Sequence, residues 1–266
     1  MNFNDHRIVT LNCGVGRDSI TMLCLLFERN LEVEGLGKLG PQDIDCVVFS
    51  DTGCEWRHTY DLIPTLRQLC NAHGVRFIIL EKGDGEEVDV EGWLDIERKA
   101  RTGGYHIRPS VMADFQSRAT VASLGKGDCT DNHKLCPIRR LVNDISLVRF
   151  GRNNRSYSSL VRKGERHLGN GKGRTPAYLT EAYPLITMNI SKPDEAVVLE
   201  RWELNHVMKS GCFMCPYQPA GWYWALSVTD PATFAAVVEY EKVALERNPR
   251  MRATGAKVPV PQMVAK

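Results

Sequence analysis

The stretch RIVTLNCGVGRDSITMLCLLFE, residues 7–28, decides how this chain reads. It opens on RIVTLN at 7–12, an apolar run with the length and composition of a buried strand. It continues into DSITMLCLLFER at 18–29, where Ile20, Leu23, Leu26 and Phe27 recur at helical spacing. Asp18 or Ser19 is expected to cap that helix. Between the two lies GVGRDS at 14–19, a turn whose glycines permit a tight strand-to-helix reversal. It lacks the lysine of a Walker loop, and Ser19 stands where a dinucleotide turn needs its third glycine.

The same alternation continues outward. IDCVVFS at 44–50 reads as a second buried strand ending at Asp51. HTYDLIPTLRQLCNAH at 58–73 reads as a helix stopped by Gly74, with Pro64 near its first turn. VRFIIL at 75–80 is a third strand, and EVEGLGKLGPQ at 32–42 a loop. Strands alternating with helices predict an α/β fold with a doubly wound parallel sheet. Such sheets bind ligands beyond the carboxyl ends of their strands, so the loops after the first two strands are the expected site.

Beyond residue 83 the pattern loosens. GDGEEVDVEGW at 83–93 is acidic, RTGGYHIRPS at 101–110 reads as a loop, and PIRRLVNDISLVR at 137–149 as a helix begun by Pro137. Residues 151–176 carry Arg152, Arg155, Arg162, Lys163, Arg166, Lys172 and Arg174 against one acid, Glu165. That is either a solvated loop or a basic flap over an anionic substrate. DEAVVLERWELNHVMK at 194–209 reads as helical, 220–248 as two short helices split at Asp230-Pro231, and the tail as frayed. The expected organisation is a nucleotide-binding α/β core over 1–150. A flap and a helical, cysteine-rich part over 151–266 would complete a four-cysteine metal site.

Bulk composition is ordinary for a globular chain: 266 residues, 43% hydrophobic, 25% charged, formal net charge +2. With no excess charge, binding of nucleic acid has to come from a local patch. No run approaches the roughly 18 apolar residues of a membrane span, and the N-terminus lacks a signal peptide's pattern. The expected compartment is the cytoplasm, where nine cysteines serve metals or catalysis rather than disulfides. Cys24, Cys46 and Cys70 lie on apolar runs and read as core residues, and Cys13 and Cys54 as packing under turns. Cys129 and Cys136 in CTDNHKLCP, and Cys212 and Cys215 in SGCFMCPY, lie in polar loops instead. Their spacing is open to structural zinc, to an iron–sulfur cluster and to a redox dithiol. Lys134, Arg139 and Arg140 flank the second of these cysteines and are placed to stabilise thiolates or bind phosphate.

Together these stretches resemble the PP-loop ATP pyrophosphatase superfamily, whose signature is a strand, Ser-Gly-Gly-x-Asp-Ser and an apolar helix. Here Gly14 and Val15 stand for the first Ser and Gly, and Gly16, Arg17, Asp18 and Ser19 follow in register. FSDTGCEWRHT, with Asp51, Thr52, Gly53 and Thr59, is similar to the second-strand loop of the phosphoadenylylsulfate (PAPS) reductase branch. CTDNHKLCPIRRLV, and SGCFMCPY followed by Trp222, Tyr223 and Glu241-Lys242, resemble later parts of that branch and of DndC-like sulfurtransferases.

The resemblance implies an adenine nucleotide alpha-hydrolase-like fold that binds ATP and Mg²⁺. ATP would be cleaved to AMP and pyrophosphate, the substrate adenylated, and AMP displaced by sulfur. Gly14, Gly16, Arg17, Asp18, Ser19, Asp51, Thr52 and Gly53 would bind the nucleotide, with Arg17, Asp18 and Asp51 in the chemistry. The helix start and turn amides suit a pyrophosphate, and Asp51 would hold Mg²⁺ or the ribose. The four cysteines would hold an iron–sulfur cluster, with zinc as the alternative. The acceptor would be a nucleic acid, as DNA phosphorothioate or thiolated RNA, and a cysteine desulfurase or companion modification subunits would assist. PAPS or adenylylsulfate reduction is the other reading of the resemblance, but it needs a cysteine near the C-terminus and none follows Cys215. A non-catalytic nucleotide-binding subunit is a third.

Overall fold

The computed structural model describes residues 8–122, 128–151, 157–160, 179–249 and 259–264. Its centre is a five-stranded sheet in the order β5-β4-β1-β6-β7. The strands are β1 (Ile8–Asn12), β4 (Cys46–Ser50), β5 (Phe77–Leu80), β6 (Tyr157–Leu160) and β7 (Leu179–Ala182). Every pairing in it is parallel, with Thr10 opposite Cys46, Val47 opposite Phe77 and Ile8 opposite Tyr157. The fold is α/β, doubly wound, with a helical, cysteine-rich C-terminal part. β1 is central because it is apolar on both faces, as a strand covered twice must be. The sheet order reverses between β4 and β6 around β1, which puts the crevice at the carboxyl end of β1.

One face is covered by α1 (Arg17–Phe27) and α2 (Arg57–Ala72), the other by α3 (Trp93–Arg101) and α6 (Cys136–Phe150). Ten of the eleven residues of α1 are buried, since α8 (Lys192–Arg201) packs on its outer side. Cys24, Cys46 and Cys70 lie in this core at 1%, 0% and 0% exposure. β6 and β7 come from the chain beyond residue 150, so the expected boundary there falls inside one sheet. A third cluster joins α4 (Val111–Ser117), α9 (Ala220–Thr229), α10 (Pro231–Arg247) and α11 (Val260–Val264) to the loop after β4.

Several local expectations change. The expected loop at 32–42 holds an antiparallel hairpin, β2 (Leu31–Val33) with β3 (Gly37–Leu39), whose Leu31, Val33 and Leu39 are buried. Gly37 allows its turn at φ 77°. Gly16, not Asp18 or Ser19, caps α1: its N–H donates to Ser19 Oγ at 3.2 Å. Pro64 sits inside α2 rather than at its first turn. The helix expected over 194–209 ends at Arg201, and Glu203 turns the chain at φ 58°. α10 runs for 17 residues, not a short piece, and the tail is anchored where Val260 donates its N–H to Glu241. The basic stretch contains β6. Arg152, Arg155, Arg162, Lys163, Arg166, Lys172 and Arg174 lie outside the described residues. No helix among the described residues is long and apolar enough to cross a membrane.

Candidate nucleotide and cysteine site

The turn between β1 and α1 is held from within. Ser19 Oγ donates to the Gly16 carbonyl at 2.9 Å, and Ile20 N–H donates to the same carbonyl at 3.0 Å. Val15 lies in the left-handed region at φ 56°, a strained conformation for a β-branched residue, and is buried beneath the turn. Cys13 is also buried, which raises its thiol's pKa, so it packs as expected. Two of the predicted side chains are already engaged. Asp18 accepts from Lys192 Nζ at 2.8 Å, and Lys192 also donates to both oxygens of Glu195 at 3.0 Å. Arg17 Nη1 reaches the Val207 carbonyl at 3.5 Å.

The loop after β4 forms the second wall. Asp51 accepts from the Gly53 N–H and from Tyr60 Oη, both at 2.8 Å. Burial raises its carboxyl pKa despite those bonds. Thr52 is buried and donates to Glu55 Oε1 at 2.9 Å, and its hydroxyl also meets Cys212 Sγ at 3.2 Å. Gly53 has φ 68°, and a Cβ there would stand 2.7 Å from Ser110 Cβ. Both facts require glycine.

A strap from the C-terminal half joins the two walls. Trp56 N–H donates to the Gly211 carbonyl at 3.3 Å, Phe213 N–H donates to the Cys54 carbonyl at 2.9 Å, and Glu55 forms an antiparallel bridge with Cys212. Ser210 lies against the turn itself. A Cβ on Gly16 would stand 2.6 Å from Ser210 Oγ and 2.8 Å from its backbone nitrogen. The backbone therefore sets Ser210 against the turn between β1 and α1 and Cys212 against the loop after β4.

A Gly16→Ala variant should push this strap away. It is expected to cost about 1–3 kcal/mol of stability and to weaken binding of a non-hydrolysable ATP analogue, followed by thermal melting and calorimetric titration. Gly14→Ala is the control, because its Cβ would meet Ser210 Oγ at an ordinary 3.5 Å. Equal behaviour of the two variants would sink the idea.

All nine cysteines are free thiols. Cys212 Sγ lies 3.7 Å from Glu55 Oε1. Lys134 Nζ is 3.5 Å from Glu55 Oε1, and that carboxylate raises its pKa. Burial raises the thiol pKa of both Cys212 and Cys215. Cys136 opens α6, one residue after the π-helical turn Asp131–Leu135. The donor chemistry fits a thiolate-held metal or cluster. The spacing does not close on one, since no three candidate ligands among the described residues stand at metal-holding distance.

Beside this site lies a buried hub that sequence reasoning missed. Lys82 Nζ is 2.9 Å from His106 Nδ1, 3.2 Å from His133 Nδ1 and 3.3 Å from the Arg108 carbonyl. His106 Nε2 faces the Leu80 carbonyl at 2.9 Å and His133 Nε2 faces Asp114 Oδ2 at 3.2 Å. Both partners only accept, so both hydrogens sit on Nε2 and both Nδ1 lone pairs point at Lys82. Burial, then the Lys82 charge, lowers the pKa of both imidazoles, that of His106 to about 4. Lys82 itself is lowered to about 8, chiefly by burial. Its one sequence signal was its place just past the carboxyl end of the third strand.

No protein-family model matches the chain. No curated protein matches it. One solved structure similar to it is the U34-tRNA thiolase NcsA from Methanococcus maripaludis with its [4Fe-4S] cluster. The identity is 14%, the TM-score is 0.39, and the match covers 98% of this chain and 81% of that one. A likeness at that level does not establish a shared fold.

Proposed function

We propose that this protein is an ATP-dependent sulfurtransferase of the PP-loop ATP pyrophosphatase type. It would adenylate a nucleic-acid substrate and replace oxygen by sulfur. The observation that carries this reading is the strap, because it fastens a cysteine pair to both loops where a nucleotide is expected. The α1 N-terminus and turn amides offer the phosphates an anion site, with Arg17 adding a side-chain donor and Ser19 bracing the turn from within. Asp18 and Asp51 are the carboxylates at the mouth, one held by Lys192, the other by Tyr60. Asp51 stands at the carboxyl end of β4, where it would meet Mg²⁺ or the ribose.

A thiolate-held iron–sulfur cluster, or zinc, would be bound by cysteines of the 129–136 and 212–215 segments. When bound, it would supply a thiophilic centre beside the activated substrate. The protein's own part is to hold ATP against the turn and to keep the thiols next to it. The arginines and lysines between 152 and 174 suit a phosphate-rich substrate. A cysteine desulfurase or companion modification subunits would provide the sulfur.

The test is anaerobic incubation with ATP, Mg²⁺ and labelled sulfide, with transfer RNA in one arm and duplex DNA in the other. Release of AMP and pyrophosphate with label retained in one polymer is the expected result, and the labelled arm identifies the acceptor. ADP as product, or ATP cleaved with neither polymer labelled, would overturn the reading.

A further inference from the structure

The central sheet ends on β5, and that edge is open. β5 pairs with β4 on one side only. Val47 N–H donates to the Arg76 carbonyl and Asp51 N–H to the Leu80 carbonyl, which fixes the backbone groups that point at β4. By the alternation of a strand, those of Ile78 and Leu80 point inward, and the N–H and C=O of Phe77 and Ile79 point out of the sheet. No hydrogen bond reaches these outward groups among the described residues. Phe77 and Ile79 keep 9% and 8% exposure against 2% for Ile78 and 0% for Leu80, although their side chains lie in the core under α1 and α2. The open area therefore follows the outward backbone. The strand, FIIL, carries no proline, charge or break in its ladder, the usual protections of an edge.

A groove of about 500 Å³ runs along this edge, lined by Arg67 of α2, by Arg76 and Glu81 at the ends of β5, and by Glu97 and Arg101 of α3. Its charge is mixed rather than of one sign. The Arg76 guanidinium lies over the Trp93 ring at 4.3 Å, and Glu81 donates its N–H to the Ala100 carbonyl at 3.0 Å. α3 therefore runs beside β5 in the same direction, from the level of Arg76 to that of Glu81. Glu97, between Trp93 and Ala100, stands about level with Ile79.

We infer that β5 is the seam of a two-fold dimer, in which the β5 edges of two copies pair antiparallel and join their sheets. Symmetry sets the register. A two-fold that places copies of one strand side by side and antiparallel stands perpendicular to the sheet and keeps each face on its own side. Directly opposite residues share a face, so a residue opposes itself or one an even number of places away. Centred on Ile78, Phe77 opposes the partner subunit's Ile79, and the outward N–H and C=O of both are satisfied, twice over by symmetry. Centred on Ile79, Phe77 would meet the partner's Glu81, whose N–H is spent on Ala100. Centred on Phe77, Ile79 would meet the partner's Val75, whose N–H is spent on the Cys70 carbonyl. The Ile78-centred register is the one of the three that uses every open group. It also sets Arg76 beside the partner subunit's Glu97, because Ile79, the level of Glu97, lies opposite Phe77. A ligand of one sign would leave the groove's like charges unanswered, whereas a second copy answers both signs.

Sedimentation equilibrium of the full chain, with amide hydrogen exchange at several protein concentrations, tests the seam. The expected result is a dimer in which the amides of Phe77 and Ile79 exchange more slowly as concentration rises. Arg76→Glu and Glu97→Arg should each weaken dimerisation by about tenfold, since each reversal sets like charges together at both symmetric contacts. The double variant should restore it. A monomer at every concentration overturns the proposal, and protection of these amides that appears only with added transfer RNA overturns it in favour of substrate at this edge. A dimer whose Phe77 and Ile79 amides exchange alike at all concentrations places the contact elsewhere and overturns it too, as does a double variant no tighter than the single ones. The exchange arm decides even if a charge variant fails to fold.

Discussion

Raising the pH from 8 to 10 under reducing conditions is expected to remove about 4 kcal/mol of folding stability through three core thiols. Burial pushes the thiols of Cys24 and Cys70 up to about 12 and raises that of Cys46 as well. In the unfolded chain a thiol ionises near its ordinary value of 9.0. Above that pH the unfolded state gives up protons that the folded state keeps, so stability falls as pH rises. The loss is about 1.4 kcal/mol per thiol over this interval. Lys82 runs the other way, since a base with a lowered pKa favours folding as it discharges, but it is one partly exposed group against three buried thiols. Urea unfolding at pH 8 and at pH 10 measures the effect. A slope as steep in a triple Cys→Ala variant as in the unsubstituted chain would show that these thiols are not its origin.

Asp114→Ala should cost about 3–5 kcal/mol, the range for removing one partner of a buried ionic network. Asp114 is 4% exposed and accepts from Arg108 Nη1 and Arg118 Nη2, both at 2.8 Å, and from His133 Nε2 at 3.2 Å. Burial would raise its pKa, but the bonds from Arg108 and His133 and the two guanidinium charges outweigh that and hold it below 3.8. With a depressed carboxyl pKa, this support is present above about pH 4 and lost as the pH falls below it. The alanine strands the His133 Nε2–H at zero exposure and frees the imidazole that aligns Lys82. Chemical denaturation at pH 7 gives the cost. An Asp114→Ala variant within about 1 kcal/mol of the unsubstituted protein would mean that the network is redundant.

Much of the fold was legible because its signals are local. The strand, turn and helix of residues 8–27 each follow from composition and spacing within about ten residues. Gly74 as the stop of α2 and Pro137 in the first turn of α6 follow from backbone chemistry alone. The hairpin at 31–39 was not legible. Its strands are three residues long, and glycines at 35 and 37 read as loop until Leu31 and Leu39 are seen to be buried. The length of α8 was also hidden, because WELNHVMK keeps helical composition while Glu203 takes a left-handed turn.

In the candidate site, the sequence by itself determined a glycine-containing strand-to-helix turn, the acid-bearing loop after β4, and two cysteine pairs in polar segments. Only the tertiary structure decided what those parts meet. Arg17 finds the Val207 carbonyl 190 residues away, Thr52 finds Cys212 across 160, and Lys82 finds His133 across 51. Spacing along a chain reports which side chains share a helix face or a strand edge. It carries no information about which distant loop fills the space above them, because that is set by how the helices close over the sheet. For the same reason the cysteines could be counted from the sequence, while Glu55 emerged as the neighbour of Cys212 only once the strap had folded against the loop after β4.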